Sequence, residues 1–178
     1  MARHDITLIS FGYFNKGLLE EIAGAVISEF RYPVKIMEGH VDLSDYFDAG
    51  RRQYNGNKLL FLVESMSLPE SDKTLGLFSV DLFIPILTYI FGQAALNGKA
   101  GITSLHRLNN EYYGMKADKA LLAERFKKEV IHELGHTFGL IHCKNPSCVM
   151  RSSTYVEDID MKKVHLCHSC RDLFLLKT

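Results

Sequence analysis

Apolar and polar positions alternate along residues 6–14, which predicts a β-strand. From residue 18 to 30 (LLEEIAGAVISEF) the apolar positions recur every three to four residues, which predicts an amphipathic helix. Pro33 introduces the short run VKIM at 34–37, a second strand. Residues 53–65 (QYNGNKLLFLVES) read as a second helix despite Gly56, and residues 75–86 are β-rich. Residues 88–96 and 102–108 read as two further strands, with Asn97-Gly98 marking the turn between them. Asp118 is a candidate N-cap for a long helix in which Leu122, Phe126, Val130, Leu134 and Phe138 recur every four residues as an apolar stripe. After Gly139 the periodic signal fades, and cysteines, Pro146 and charged pairs dominate. The pattern predicts an α+β fold: a mixed twisted sheet packed on helices, then a small C-terminal lobe. We read one domain, 1–178, with a lobe boundary between 139 and 140.

The long helix carries the run HELGHTFGLIH, residues 132–142. Residues four apart share a helix face, so His132 and His136 can both point at one ion. At about 100° per residue they lie roughly 140° from the centre of the apolar stripe, which directs them away from that core and towards a cleft. Glu133, beside them, can reach a water on the metal without ligating the metal itself. Gly139 tolerates positive φ, so the helix can stop and the chain swing back to bring His142 in as third ligand. Three imidazoles leave a fourth position open for water, which distinguishes catalytic from structural zinc. The bland alternative, polar residues on the wet face of an ordinary helix, explains neither the spacing nor the glycine.

Lys plus Arg equals Asp plus Glu at 21 each, and there is no dense basic run, so nothing resembles the footprint of a nucleic-acid binder. The N-terminus lacks the long apolar segment of a signal peptide and no stretch is long enough to span a membrane, so a cytoplasmic location is expected. The four cysteines, Cys143, Cys148, Cys167 and Cys170, all follow the histidine motif. An oxidising compartment would make two disulfides of them, and a reducing one a metal site. Cys167-x-x-Cys170 has the tight spacing of zinc ribbons, and Cys143 with Cys148 supplies a looser second pair, so a structural zinc is the preferred reading. His165 and His168 lie near enough to compete as ligands and are read as solvated bystanders.

The histidine motif with its glycine resembles the metzincin clan of zinc peptidases, and the cysteine pattern resembles the archaemetzincins within it. The resemblance implies a catalytic zinc on His132, His136 and His142, Glu133 as general base, and a second, structural zinc on the four cysteines. It also implies that Met150 forms an apolar floor under the histidines, whereas an isolated Met is otherwise usually packing. Some metzincins carry a tyrosine two residues after that methionine. Here the position is Ser152, and Tyr155 stands three residues further on.

The function expected is zinc-dependent hydrolysis of peptide bonds by a zinc-activated water, with a short-peptide or aminopeptidase preference suggested by the family. A peptide or protein substrate could add as a strand to an exposed sheet edge, for which residues 88–96 are the candidate. The rival reading is a zinc-stabilised peptide- or protein-binding module without turnover. Nucleic-acid binding through the cysteine lobe is disfavoured: Lys144, Arg151, Lys162, Lys163 and Arg171 are diluted by Glu157, Asp158, Asp160 and Asp172. A monomer is the default.

Overall fold

A computed structural model describes residues 5–178; residues 1–4 of the amino-terminal reading lie outside it. Strand β1 (Asp5–Phe11) is buried along almost its whole length, as expected for a strand covered on both faces. Gly12, at φ +86, ends it. The Asn15 side chain then accepts the Leu18 N–H at 3.3 Å and starts helix α1 (Lys16–Phe30). Strand β2 (Val34–Gly39) pairs parallel with β1, and β5 (Ser71–Phe78) pairs parallel on its other side. Strand β8 (Ala100–Ser104) extends the sheet in parallel, and β7 (Gly92–Ala94) closes it as an antiparallel edge. The order is β2-β1-β5-β8-β7.

The two faces of this sheet bury different helices. Ile6 and Leu8 of β1, with Leu75 and Leu77 of β5, pack in one core with α1 and with α3 (Lys119–Thr137). Ile9, Phe11, Phe78 and Ile102 point the other way, onto Leu59 and Val63 of α2 (Gly56–Ser65). Strand alternation alone sorts these side chains. Phe126, Val130 and Leu134, three of the five stripe residues, are fully buried in the α1–α3 core. Asp118 caps α3 by accepting the Leu121 N–H at 2.9 Å, as its position predicts.

Several elements differ from the sequence pattern. The helix expected from 53 begins only at Gly56: Gln53–Asn55 is strand β4, and Asn55 is the cap, accepting the Lys58 N–H at 3.2 Å. Strand β4 belongs to a small second sheet with β3 (Phe47–Asp48) and β6 (Leu82–Phe83). The strand expected at 88–96 reduces to β7, because the preceding residues run as an irregular rim in which Ile90 forms an isolated bridge with Leu82 of β6. The strand expected at 102–108 ends at Ser104 and passes into a 3-10 turn, His106–Leu108. Asn97-Gly98 does form the turn, with Asn97 at φ 53 and the Gly98 N–H on the Ala95 carbonyl.

The C-terminal segment contains two helices that its faint periodicity concealed, α4 (Val156–Met161) and α5 (His168–Lys177). Both are fastened to the larger lobe by charge. Arg125 of α3 forms a two-pronged pair with Asp160 at 2.7 Å per prong. Glu29, a buried carboxylate on α1, accepts the Leu166 N–H at 2.9 Å and His165 Nδ1 at 2.8 Å, and also pairs with Arg171. Charge-assisted bonds from such a carboxylate are worth about 1.5–3 kcal/mol each. The whole is α+β, and no helix among the described residues is long and apolar enough to cross a membrane.

Candidate active site and metal centres

The last two turns of α3 are buried on nearly every side, yet they carry polar residues: His132 and Glu133 are each 5% exposed. The hydrogen bonds explain the histidines. His132 Nδ1 donates to the Val149 carbonyl at 2.8 Å and His136 Nδ1 to the Leu140 carbonyl at 2.7 Å. A carbonyl can only accept, so both protons sit on Nδ1 and both Nε2 atoms present lone pairs. Those two Nε2 atoms face each other at 3.1 Å, with no proton to share. The His142 ring joins them, and the ligand nitrogens of all three lie within 4.8 Å of one another. Lone pairs so arranged fit one cation: a Zn–N bond of about 2.0–2.1 Å puts tetrahedral nitrogens about 3.3 Å apart. Burial holds all three imidazoles below their ordinary pKa, and the Lys162 charge adds to this, so they stay neutral as ligands must.

The turn that delivers His142 is the one the glycine predicts. Helix α3 ends at Thr137, Gly139 takes φ +81, and the Leu140 N–H closes back on the Gly135 carbonyl at 2.9 Å. Gly135 has a second role. The fully buried Met150 sulfur occupies the space where a Cβ there would lie.

Glu133 lies in the same cleft, a cavity of about 550 Å³. Its upper rim is residues 87–94, and 152–154 form part of the other wall. The carboxylate is wedged under the rim: a Cβ on Gly92 would come within 2.7 Å of both Glu133 Cγ and Oε1. Burial pushes Glu133 well above the usual carboxylate range, with Glu129 adding to the rise and Lys162 opposing it. The rim is tied at both ends. Tyr89 donates its hydroxyl to the Thr154 carbonyl at 2.6 Å, across to the C-terminal lobe. At the far end the Asn97 N–H donates to the His136 carbonyl at 2.9 Å, and the Lys73 ammonium bridges the Gly98 and Thr137 carbonyls at 2.8 and 2.9 Å.

The four cysteine sulfurs also lie within 4.8 Å of one another, and all four are free thiols. Cys143 and Cys167 Sγ are 3.8 Å apart. That is far outside a disulfide bond and equal to the spacing of about 3.8 Å that Zn–S bonds of about 2.3 Å give across a tetrahedron. Backbone N–H groups of Asn145 and Cys167 point at the Cys143 and Cys148 sulfurs at 3.4 and 3.3 Å. Burial raises the Cys148 and Cys170 thiols, so four thiolates side by side require a cation between them. His165 and His168 lie outside this group. His165 is not a mere bystander, since it helps to seat Glu29, while His168 faces Asp172 at the surface.

The sequence pattern of peptidase family M54 matches residues 43–175. The chain belongs to peptidase family M54. It is similar to the archaemetzincin of Pyrococcus horikoshii, 38% identical over 156 residues that cover 85% of this chain and 82% of that one. The crystal structure of the Methanopyrus kandleri archaemetzincin superposes with a TM-score of 0.86 at 30% identity, covering 99% of this chain and 96% of the other. The Archaeoglobus fulgidus archaemetzincin, crystallised as a malonate complex, gives 0.78 at 34% identity over 94% and 98%. As an M54 member the chain is a zinc metallopeptidase, a hydrolase acting on peptide bonds, and its three-histidine and four-cysteine groups are both able to bind metal.

Three cleft residues of this M54 chain escaped the sequence reading. Tyr89 gave no signal beyond a place in a presumed strand. Glu129 precedes Glu133 by one helical turn, a spacing that could have marked it. Lys162 was counted among the charges of the C-terminal lobe, but it is buried and lines the cleft. Tyr155 is 64% exposed and absent from the cleft lining, where Ser152 stands instead.

Proposed function

We propose that His132, His136 and His142 hold a catalytic zinc, that Glu133 is the general base, and that Cys143, Cys148, Cys167 and Cys170 hold a structural zinc. Zinc at the histidines supplies a Lewis acid that polarises the scissile carbonyl and acidifies a water. Glu133 accepts the proton of the attacking water and passes it to the leaving amine. The Gly92 backbone keeps its carboxylate in one place. Met150 serves as the apolar floor. An extended peptide adds to the free edge of β7, and short peptides or amino-terminal residues are the preferred substrates. Residues 1–139 and 140–178 act as two lobes of one catalytic domain, because His142 crosses from one to the other. A monomeric cytoplasmic protein fits four thiols grouped for a metal rather than for disulfides.

The observation that carries this reading is the pair of Nε2 lone pairs held face to face at 3.1 Å, with Glu133 beside them in the same cleft. Glu133→Gln keeps size and hydrogen bonding but removes the base. It should retain two zinc ions and lose hydrolysis by ~100-fold or more. His136→Ala should lose one zinc and the activity together. A wild-type protein that holds both metals and cleaves nothing across a broad peptide library would instead be a zinc-stabilised binding module.

A further inference from the structure

Lys162 follows α4 directly and is the one lysine or arginine among the described residues that line the cleft. Its ammonium lies 3.1 Å from Glu129 Oε1, with side-chain exposures of 0% and 4%. Packing alone does not call for such a pair, since two desolvated ions commonly hold a fold no better than apolar residues of the same volume. Its second contact is more informative. Lys162 Nζ donates to the Arg151 carbonyl at 3.1 Å, the last of three consecutive carbonyls that are each engaged by the site. Val149 O takes His132 Nδ1, Met150 O takes the N–H of Cys143 next to His142, and Arg151 O takes Lys162. The ammonium thereby ties the turn under the histidines to the catalytic helix.

Its ammonium lines the same cleft as the three imidazoles and Glu133, with the opposite charge of Glu129 beside it. A positive field works against a bound cation, so the metal gains nothing from it. Anions gain. Attack on a peptide carbonyl develops negative charge on its oxygen, and a fixed cation beside it stabilises that charge. No phenol stands two residues after Met150 to do this, because Ser152 is there; Tyr155 lies outside the cleft lining, and the Tyr89 hydroxyl is engaged with Thr154.

We propose that Lys162, anchored by Glu129, serves the hydrolytic site in two ways: it clamps the turn beneath the histidines and holds a positive charge for the anionic carbonyl oxygen. The proposal rests on the peptidase reading above. Lys162→Met or Glu129→Leu alone strands a buried charge and should lower Tm by on the order of 10 °C. The double variant removes both charges and should recover Tm and both zinc ions. It should still lose kcat by ~10-fold or more with KM within about twofold. A phosphinic alanyl-alanine dipeptide, a tetrahedral anion, should bind the double variant ~10-fold more weakly by calorimetry. Lys162→Arg keeps the charge and should bind that probe within about threefold of the wild type. Unchanged kcat and probe affinity in the double variant, or a loss in Lys162→Arg as large as in Lys162→Met, would overturn the proposal. A wild type that binds the probe through Lys162 yet cleaves no peptide would count against the peptidase reading and for the anion-holding role of Lys162.

Discussion

At Gly92 a single added methyl group would collide with Glu133, the proposed base. The Cβ would meet Glu133 on one side and the Ile102 carbonyl on the other, each at 2.7 Å, and the second is backbone that cannot swing aside. Gly92→Ala should therefore displace the carboxylate while leaving the histidines untouched. We expect kcat to fall ~10-fold or more with zinc content unchanged, read by steady-state kinetics beside metal analysis. The residues that sequence disclosed are those whose meaning is local. His132, Glu133 and His136 are legible because helix geometry alone places them, and Gly139 because a turn at that point demands positive φ. Gly92, Glu129 and Lys162 acquire their roles only when the rim, α3 and the C-terminal lobe meet.

Among the elements, α3 and the cysteine lobe are mechanically one piece. Cys143 adjoins His142 and bonds the Met150 carbonyl, while Cys148 adjoins Val149, whose carbonyl orients His132. Cys170→Ser should consequently lower zinc occupancy at the histidines as well as at the thiolates, because metal binding there is folding free energy. The check is metal content and amide exchange over residues 140–178. Wild-type protein purified under reducing conditions should carry close to two zinc ions, the cysteine-held one being the slower to yield to chelators. If Cys170→Ser kept full occupancy at the histidines, the two centres would be independent. The spacing of the four cysteines predicted their grouping correctly. Helices α4 and α5 went unseen, since Val156 and Ile159 bury a stripe too short to register as a period, and α5 buries only Cys170 and Phe174. The second helix was misplaced by three residues because Gln53–Asn55 is held in strand by tertiary pairing to β6, which no local pattern encodes.

For the molecule as a whole, the decisive arrangement is the way the rim is supported. Tyr89 fixes one end to the C-terminal lobe, while Asn97 and Lys73 fix the other to the end of α3. Support at both ends predicts a rim that keeps its place over the cleft rather than hinging. Binding a phosphinic peptide should then change amide exchange at residues 87–98 by less than about threefold, since no lid has to close. A large slowing confined to that stretch would show a rim that opens in the free protein. A rim held in that way should admit an extended single chain more readily than a helix about 10 Å or more across, so a peptide should be cut faster unfolded than when locked as a helix.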